Sequence, residues 1–118
     1  MHELSICEEL MQQVTAIAEA NHAVKVVRII VRIGPLAGIE AKLLESAFTI
    51  SRAGTLAQSA ELLTERLPIR MLCHSCGTEF ETEINHLICQ NCGDFKTQLL
   101  SGDELILARV ELEQASIN

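Results

Sequence analysis

At 118 residues with a formal net charge of −7, the chain has the length of one ordinary domain, or of a small domain carrying a smaller insert. Almost half of it is hydrophobic, yet it has no Trp or Tyr and only three Phe, so aliphatic side chains must pack the core. An acidic, aromatic-poor chain lacks the basic face and stacking platforms of a nucleic-acid binder. No run approaches the roughly 20 apolar residues of a membrane span, and no basic-then-apolar segment opens the chain as a signal peptide would.

Ser5 with Glu8 reads as a capping box at the start of a helix. Cys7, Leu10, Met11, Val14, Ile17 and Ala18 follow at three- and four-residue steps, with Glu8, Glu9, Gln12, Gln13 and Glu19 largely opposite. Asn21 is a natural stop, and His22 then reads as a solvated helix-end residue. Cys7 lies on the apolar stripe and reads as a buried thiol. Residues 24–33 are rich in β-branched side chains and alternate, with Val27, Ile29, Val31 and Ile33 on a dry face and Arg28 and Arg32 on the wetter one. Gly34 and Pro35 end that strand. Residues 40–52 return to helical spacing through Leu43, Leu44, Ala47, Phe48 and Ile50, with Gly54 as a stop. Residues 60–67 read as a second strand closed by Pro68.

Cys73 and Cys76 form one Cys-x-x-Cys pair, and Cys89 and Cys92 form another twelve residues later. A glycine follows each pair (Gly77, Gly93) and frees the backbone to curl back. Two such turns on adjacent hairpins place four sulfurs in a tetrahedron, the arrangement Zn²⁺ takes in closed structural sites. Two disulfides or four unliganded buried thiols are the alternatives. A closed four-sulfur site staples a fold and leaves no open position for catalysis. Thiols used in this way suit a reducing cytoplasm. After the pairs, Ser101, Gly102 and Asp103 read as a turn into a last strand over 104–113, with Ile106, Ala108, Val110 and Leu112 on one face.

The order predicts an α+β fold: a small three-stranded sheet with two helices on one face, plus an inserted four-cysteine zinc ribbon. Residues 1–70, completed by 98–118 as the last strand, form the helix-and-sheet domain, and 71–97 form the ribbon. His74, inside the first pair, points away from the ion if both sulfurs bind, as a solvent-exposed residue or a donor to a sulfur. His86 belongs to the ribbon's surface loop.

The chain starts Met1, His2, Glu3. A large residue at position 2 keeps the initiator Met, so the α-amine of Met1, the backbone nitrogen of His2 and the His2 imidazole can close fused chelate rings on one ion. The Glu3 backbone or carboxylate could supply a fourth donor. Nitrogen-rich tetragonal sites suit Ni²⁺ or Cu²⁺.

Together, Met1 to Ser5, the stretch Ile33 to Glu40, the paired Cys-x-x-Cys and the Gly102, Asp103, Glu104, Leu105 start of the last strand resemble the HypA/HybF family of nickel-insertion accessory proteins for [NiFe]-hydrogenase maturation. The resemblance spans the whole chain in the same order. It implies Ni(II) as transient cargo at Met1, His2 and Glu3, with Glu40 near that site, and structural Zn(II) on Cys73, Cys76, Cys89 and Cys92. It implies a HypB-type GTPase and the hydrogenase large subunit as partners, with urease maturation served by some members. The expected protein is cytoplasmic, non-enzymatic and a monomer or homodimer, with neither nucleic acid nor membrane as partner. The rival readings are a zinc-ribbon interaction module and a rubredoxin-like iron redox protein.

Overall fold

Helix α1 (His2–Ala20) begins three residues ahead of the anticipated cap. Ser5 lies inside it on an exposed side, and the acidic residue of the first turn is Glu3, where a carboxylate complements the helix dipole. At the other end the Asn21 side chain donates to the Ile17 carbonyl at 2.8 Å. His22 then turns the chain with a left-handed φ of 56°, a conformation that histidine enters more readily than most side chains. The computed structural model describes residues 2–115.

Strand β1 (Ala23–Ile33) buries Ile29, Val31 and Ile33 as alternation predicts, but at its start Val26 is buried and Val27 is exposed. The pattern slips by one residue because the Val26 N–H is drawn to the Leu56 carbonyl at 2.9 Å. Helix α2 (Ala41–Ser51) buries Leu44, Ala47 and Phe48, whereas Leu43 and Ile50 are 50% and 69% exposed. These two belong to the edge of the apolar stripe, not to its centre. Arg52 closes the helix, laying its guanidinium 5.8 Å from the centroid of the Phe48 ring and donating to the Ala60 carbonyl at 2.7 Å.

Strand β2 (Glu61–Arg66) pairs with β1, and β6 (Leu105–Gln114) lies on the other side of β1, giving the order β2-β1-β6. Arg28 spans this sheet, with its Nε 3.0 Å from Glu61 and its Nη1 3.0 Å from Glu111. Such exposed pairs add at most about 1 kcal/mol each. In β6 no residue is fully buried, and Ile106 and Ala108 are exposed while Leu105 and Leu107 are half-buried. An edge strand reaches the core with less of its surface than the central one.

The larger core combines Leu10, Val14 and Ala18 of α1 with Leu44 and Phe48 of α2 and Val26, Ile29 and Val31 of β1. Cys7, fully buried, donates its thiol to the Leu44 carbonyl at 3.4 Å, and burial pushes that thiol up to about 11. It is an inert core residue. Leu44→Ala should therefore cost about 2–5 kcal/mol through lost transfer energy and a residual cavity. Half-exposed Leu43→Ala should cost well under that. Urea unfolding checks the pair, and equal losses would contradict the inward placement of Leu44.

The second sheet, β4-β3-β5, is built from β3 (Ile69–Cys73), β4 (Glu79–Thr82) and β5 (Thr97–Ser101). Both pairings are antiparallel, with a register shift between Arg70 and Met71 against β5. Alternation in β3 buries Ile69, Met71 and Cys73, which pack with Phe80 and Cys89. Contacts divide the chain into two compact units, and the one holding this sheet takes in Arg32–Gly38 as well as Arg66–Leu105. Backbone bonds explain the first of these segments: Gly34 N–H donates to Glu104 O at 2.9 Å and Leu36 N–H to Gly102 O at 2.8 Å.

Candidate metal centre

The two cysteine turns repeat one local geometry. Gly77 N–H donates to Cys73 O and Gly93 N–H to Cys89 O, each at 2.9 Å. Cys73 N–H returns to Thr78 O and Cys89 N–H to Asp94 O, again at 2.9 Å. Gly77 and Gly93 take φ of 75° and 77°, the left-handed region where a Cβ is penalised. Each turn therefore closes on itself within six residues and aims two sulfurs the same way. One member of each pair, Cys73 and Cys89, is buried; Cys76 and Cys92 are exposed.

All four sulfurs lie within 4.8 Å of one another. The nearest approaches are Cys73 to Cys92 at 3.6 Å and Cys76 to Cys89 at 3.7 Å. A disulfide requires about 2.05 Å, and all five cysteines are free. Four sulfurs about 2.3 Å from a central ion in a tetrahedron stand about 3.8 Å apart, so the cluster fits such an ion. Donors converge on the sulfurs. Asn91 and Cys92 N–H groups approach Cys89 Sγ at 3.4 and 3.5 Å, and the Asn91 side-chain amide approaches Cys76 Sγ at 3.6 Å.

The charges of the sulfurs are linked. The Thr78 hydroxyl, followed by the Asn91 amide, pulls Cys76 down to about 6. The Asp94 amide also draws Cys92 down, but desolvation and the three other sulfurs push it up to about 12. Without a cation the cluster thus resists becoming four thiolates, and a divalent ion would relieve the repulsion. This is the chemistry of a metal site.

A second corner forms where α1 begins. His2 Nδ1 stands 3.6 Å from Glu3 Oε2, with the histidine side chain 59% exposed and the glutamate 16%. The backbone amide of Glu3 itself, then that of Glu40 and the neighbouring His2, hold the Glu3 carboxyl below its usual range, against partial desolvation. Glu40 thus meets this corner through its backbone N–H, and its exposed residue forms the N-cap of α2. Beside the corner, Glu3, Leu4, Leu43, Ser46, Ala47 and Ile50 line a cavity of about 280 Å³. Met1 lies outside the described residues.

Among the described residues, the cluster of metal-ligand side chains within such distances consists of the four cysteines. His74 is exposed, and its backbone N–H bonds the Lys96 carbonyl at 2.9 Å. His86 is exposed in the loop after β4, where its carbonyl accepts from the Thr82 hydroxyl. Sequence reasoning passed over Thr78 and Asn91, two small polar residues that reach a sulfur. Only their places, Thr78 two residues after Cys76 and Asn91 between Cys89 and Cys92, hinted at it.

The sequence matches, over residues 1–112, the family described as "HypA: Hydrogenase/urease nickel incorporation, metallochaperone, hypA". The chain belongs to the HypA family. The hydrogenase maturation factor HypA of Nitrosospira multiformis is 45% identical over 112 residues, covering 95% of this chain and 97% of that one. The HypA of Aquifex aeolicus is 40% identical over 113 residues, covering 96% and 98%. The solution structure of the Ni metallochaperone HypA from Helicobacter pylori superposes with a TM-score of 0.74 at 24% identity, covering 96% of this chain and 98% of that one. At that identity the likeness speaks for the fold: two helices and two small sheets, one carrying four cysteines in zinc-ribbon fashion. A HypA protein is a maturation factor and not an enzyme. No helix of the described residues is long and apolar enough to cross a membrane.

Proposed function

We propose that this HypA family member is a cytoplasmic nickel metallochaperone that delivers Ni(II) to the large subunit of a [NiFe]-hydrogenase, working with a HypB-type GTPase. The observation that carries the reading is the exposed His2 imidazole beside Glu3 at the head of α1, in a chain whose family incorporates nickel. Ni(II) is the cargo. The Met1 amine, the His2 backbone nitrogen and the His2 imidazole supply donors close together in the chain, a nitrogen-rich set suited to a tetragonal ion. Glu3 stands beside them, and Glu40 adds its charge nearby.

The exposed His2 imidazole allows ligand exchange, so the ion can pass to a cavity with more or softer donors. Cys73, Cys76, Cys89 and Cys92 hold Zn(II) as a structural ion. Four sulfurs leave that ion no open position, and the cluster accordingly supports the fold and does not carry the cargo.

Calorimetric titration of Ni²⁺ into zinc-loaded, tagless protein, beside His2→Ala, tests the assignment. Binding near one ion per chain is expected in the parent and lost in the variant, with zinc retained in both. Equal nickel binding in the two proteins would remove Met1, His2 and Glu3 as the site.

A further inference from the structure

The two cysteine turns are nearly equivalent in their backbone bonds but differ in the side chains around their exposed sulfurs. Asn91, on the second turn, reaches across to Cys76 Sγ on the first at 3.6 Å and to Thr78 Oγ1 at 3.4 Å. Thr78 Oγ1 and Cys76 Sγ share a hydrogen bond at 3.2 Å. With sulfur as thiolate, the hydroxyl must be the donor, because a thiolate has no proton to give. The three groups close a triangle in which both donors end on Cys76.

We propose that Asn91 and Thr78 are positioning residues that hold Cys76 in the metal cluster and thereby set how slowly the metal leaves it. The inference rests on the assignment of the four cysteines to zinc. The physical case begins with exposure. Cys76 is an exposed sulfur in an acidic chain, so water and competing ligands reach it more readily than Cys73 or Cys89. Donors to a thiolate draw off charge and fix its direction, and charge-assisted bonds of this kind are stronger than neutral ones. On Cys89 the donors are backbone N–H groups, which every residue but proline keeps. On Cys76 two donors are side chains, which a single substitution removes. Loss of a residue that supports a ligand typically costs about 10–100-fold in metal affinity.

A second tie between the turns serves as the comparator. The Ser75 hydroxyl donates to the Asp94 carboxylate, linking the same two turns without touching a sulfur. If mere tethering of the turns held the metal, breaking either tie would act alike. If donation to Cys76 matters, the Asn91 tie alone should matter.

Zinc content of the purified parent comes first, since a parent without zinc would defeat the metal assignment itself. Zinc release to excess 4-(2-pyridylazo)resorcinol is then followed for the parent, Asn91→Ala, Asn91→Asp, Thr78→Val and Ser75→Ala. Far-UV circular dichroism confirms folding. Asn91→Ala should release zinc about 10-fold faster, and Thr78→Val faster than the parent. Asn91→Asp keeps the shape but sets a carboxylate against the thiolate, so it should exceed Asn91→Ala; a role in packing alone would leave it near the parent. Ser75→Ala should stay near the parent. In the Co²⁺-substituted protein, the thiolate charge-transfer band should change in the Asn91 and Thr78 variants only. Parent-like release by Asn91→Asp, or equal acceleration by Ser75→Ala and Asn91→Ala, would overturn the inference. Should Asn91→Asp fail to fold, Thr78→Val against Ser75→Ala decides the same question.

Discussion

If the four-cysteine cluster holds the proposed structural zinc, Cys73→Ser is expected to remove that metal and to unfold much of the smaller unit. Cys73 serves twice: its side chain is fully buried at the end of β3, and its sulfur stands 3.6 Å from that of Cys92. The buried cluster around it is Ile69, Met71, Cys73, Phe80 and Cys89, so two of its five members are sulfurs of the metal cluster. So small a core cannot offset the conformational entropy of ordering the cysteine loops without help. In small zinc domains the metal contributes about 10–16 kcal/mol of apparent binding free energy, which becomes folding free energy. A hydroxyl at position 73 is a poor zinc ligand and a buried polar group without a partner. Plasma mass spectrometry should find the zinc content of the variant well below one ion per chain. Hydrogen exchange should lose protection over β3, β4 and β5, while α1 keeps it. Full zinc content with unchanged exchange would refute the structural role of the cluster. Chelation of zinc from the parent should reproduce the exchange pattern.

Gly34→Ala should destabilise the fold by about 3 kcal/mol or more, the upper end of overpacking a filled site. A Cβ at position 34 would lie 2.1 Å from Gly102 O, 2.3 Å from Gly102 C and 2.9 Å from Asp103 N. All three are backbone atoms, and no rotamer change relieves them. Nor can the opposing segment retreat freely. Gly102 has a φ of 126°, and a Cβ built on it would lie 3.0 Å from the Ile69 Cα, while Leu36 N–H and the Glu104 carboxylate hold it by bonds of 2.8 Å each. Thermal unfolding should show a midpoint at least about 10 °C lower. Gly38→Ala is the informative contrast. Its φ of 72° disfavours a side chain, but nothing lies within 4 Å, so its cost should stay near about 1 kcal/mol. Equal midpoints for Gly34→Ala and the parent would mean that the two segments do not approach so closely.

The sequence by itself determined what closes over a few residues. The helical step of α1 and α2 and the two Cys-x-x-Cys-Gly turns are local patterns whose hydrogen bonds begin and end within one or two turns of chain. The β-branched alternation of β1 is a local pattern of side chains even though its partners β2 and β6 are distant. Where a local pattern misled, a contact from elsewhere had intervened. Val26 took the place of Val27 in the core because the Leu56 carbonyl claimed its amide, and α1 began before its expected cap, with Glu3 in its first turn, where Glu3 meets the Glu40 amide. Tertiary structure alone decided that Gly34 must be glycine, that Glu40 meets Glu3 by its backbone, and that Asn91 reaches the Cys76 sulfur. These partners come from different segments of the chain, and no periodicity records which segments will meet. Spacing encodes the direction in which a side chain leaves its own element, but only packing of the whole chain sets what stands opposite it.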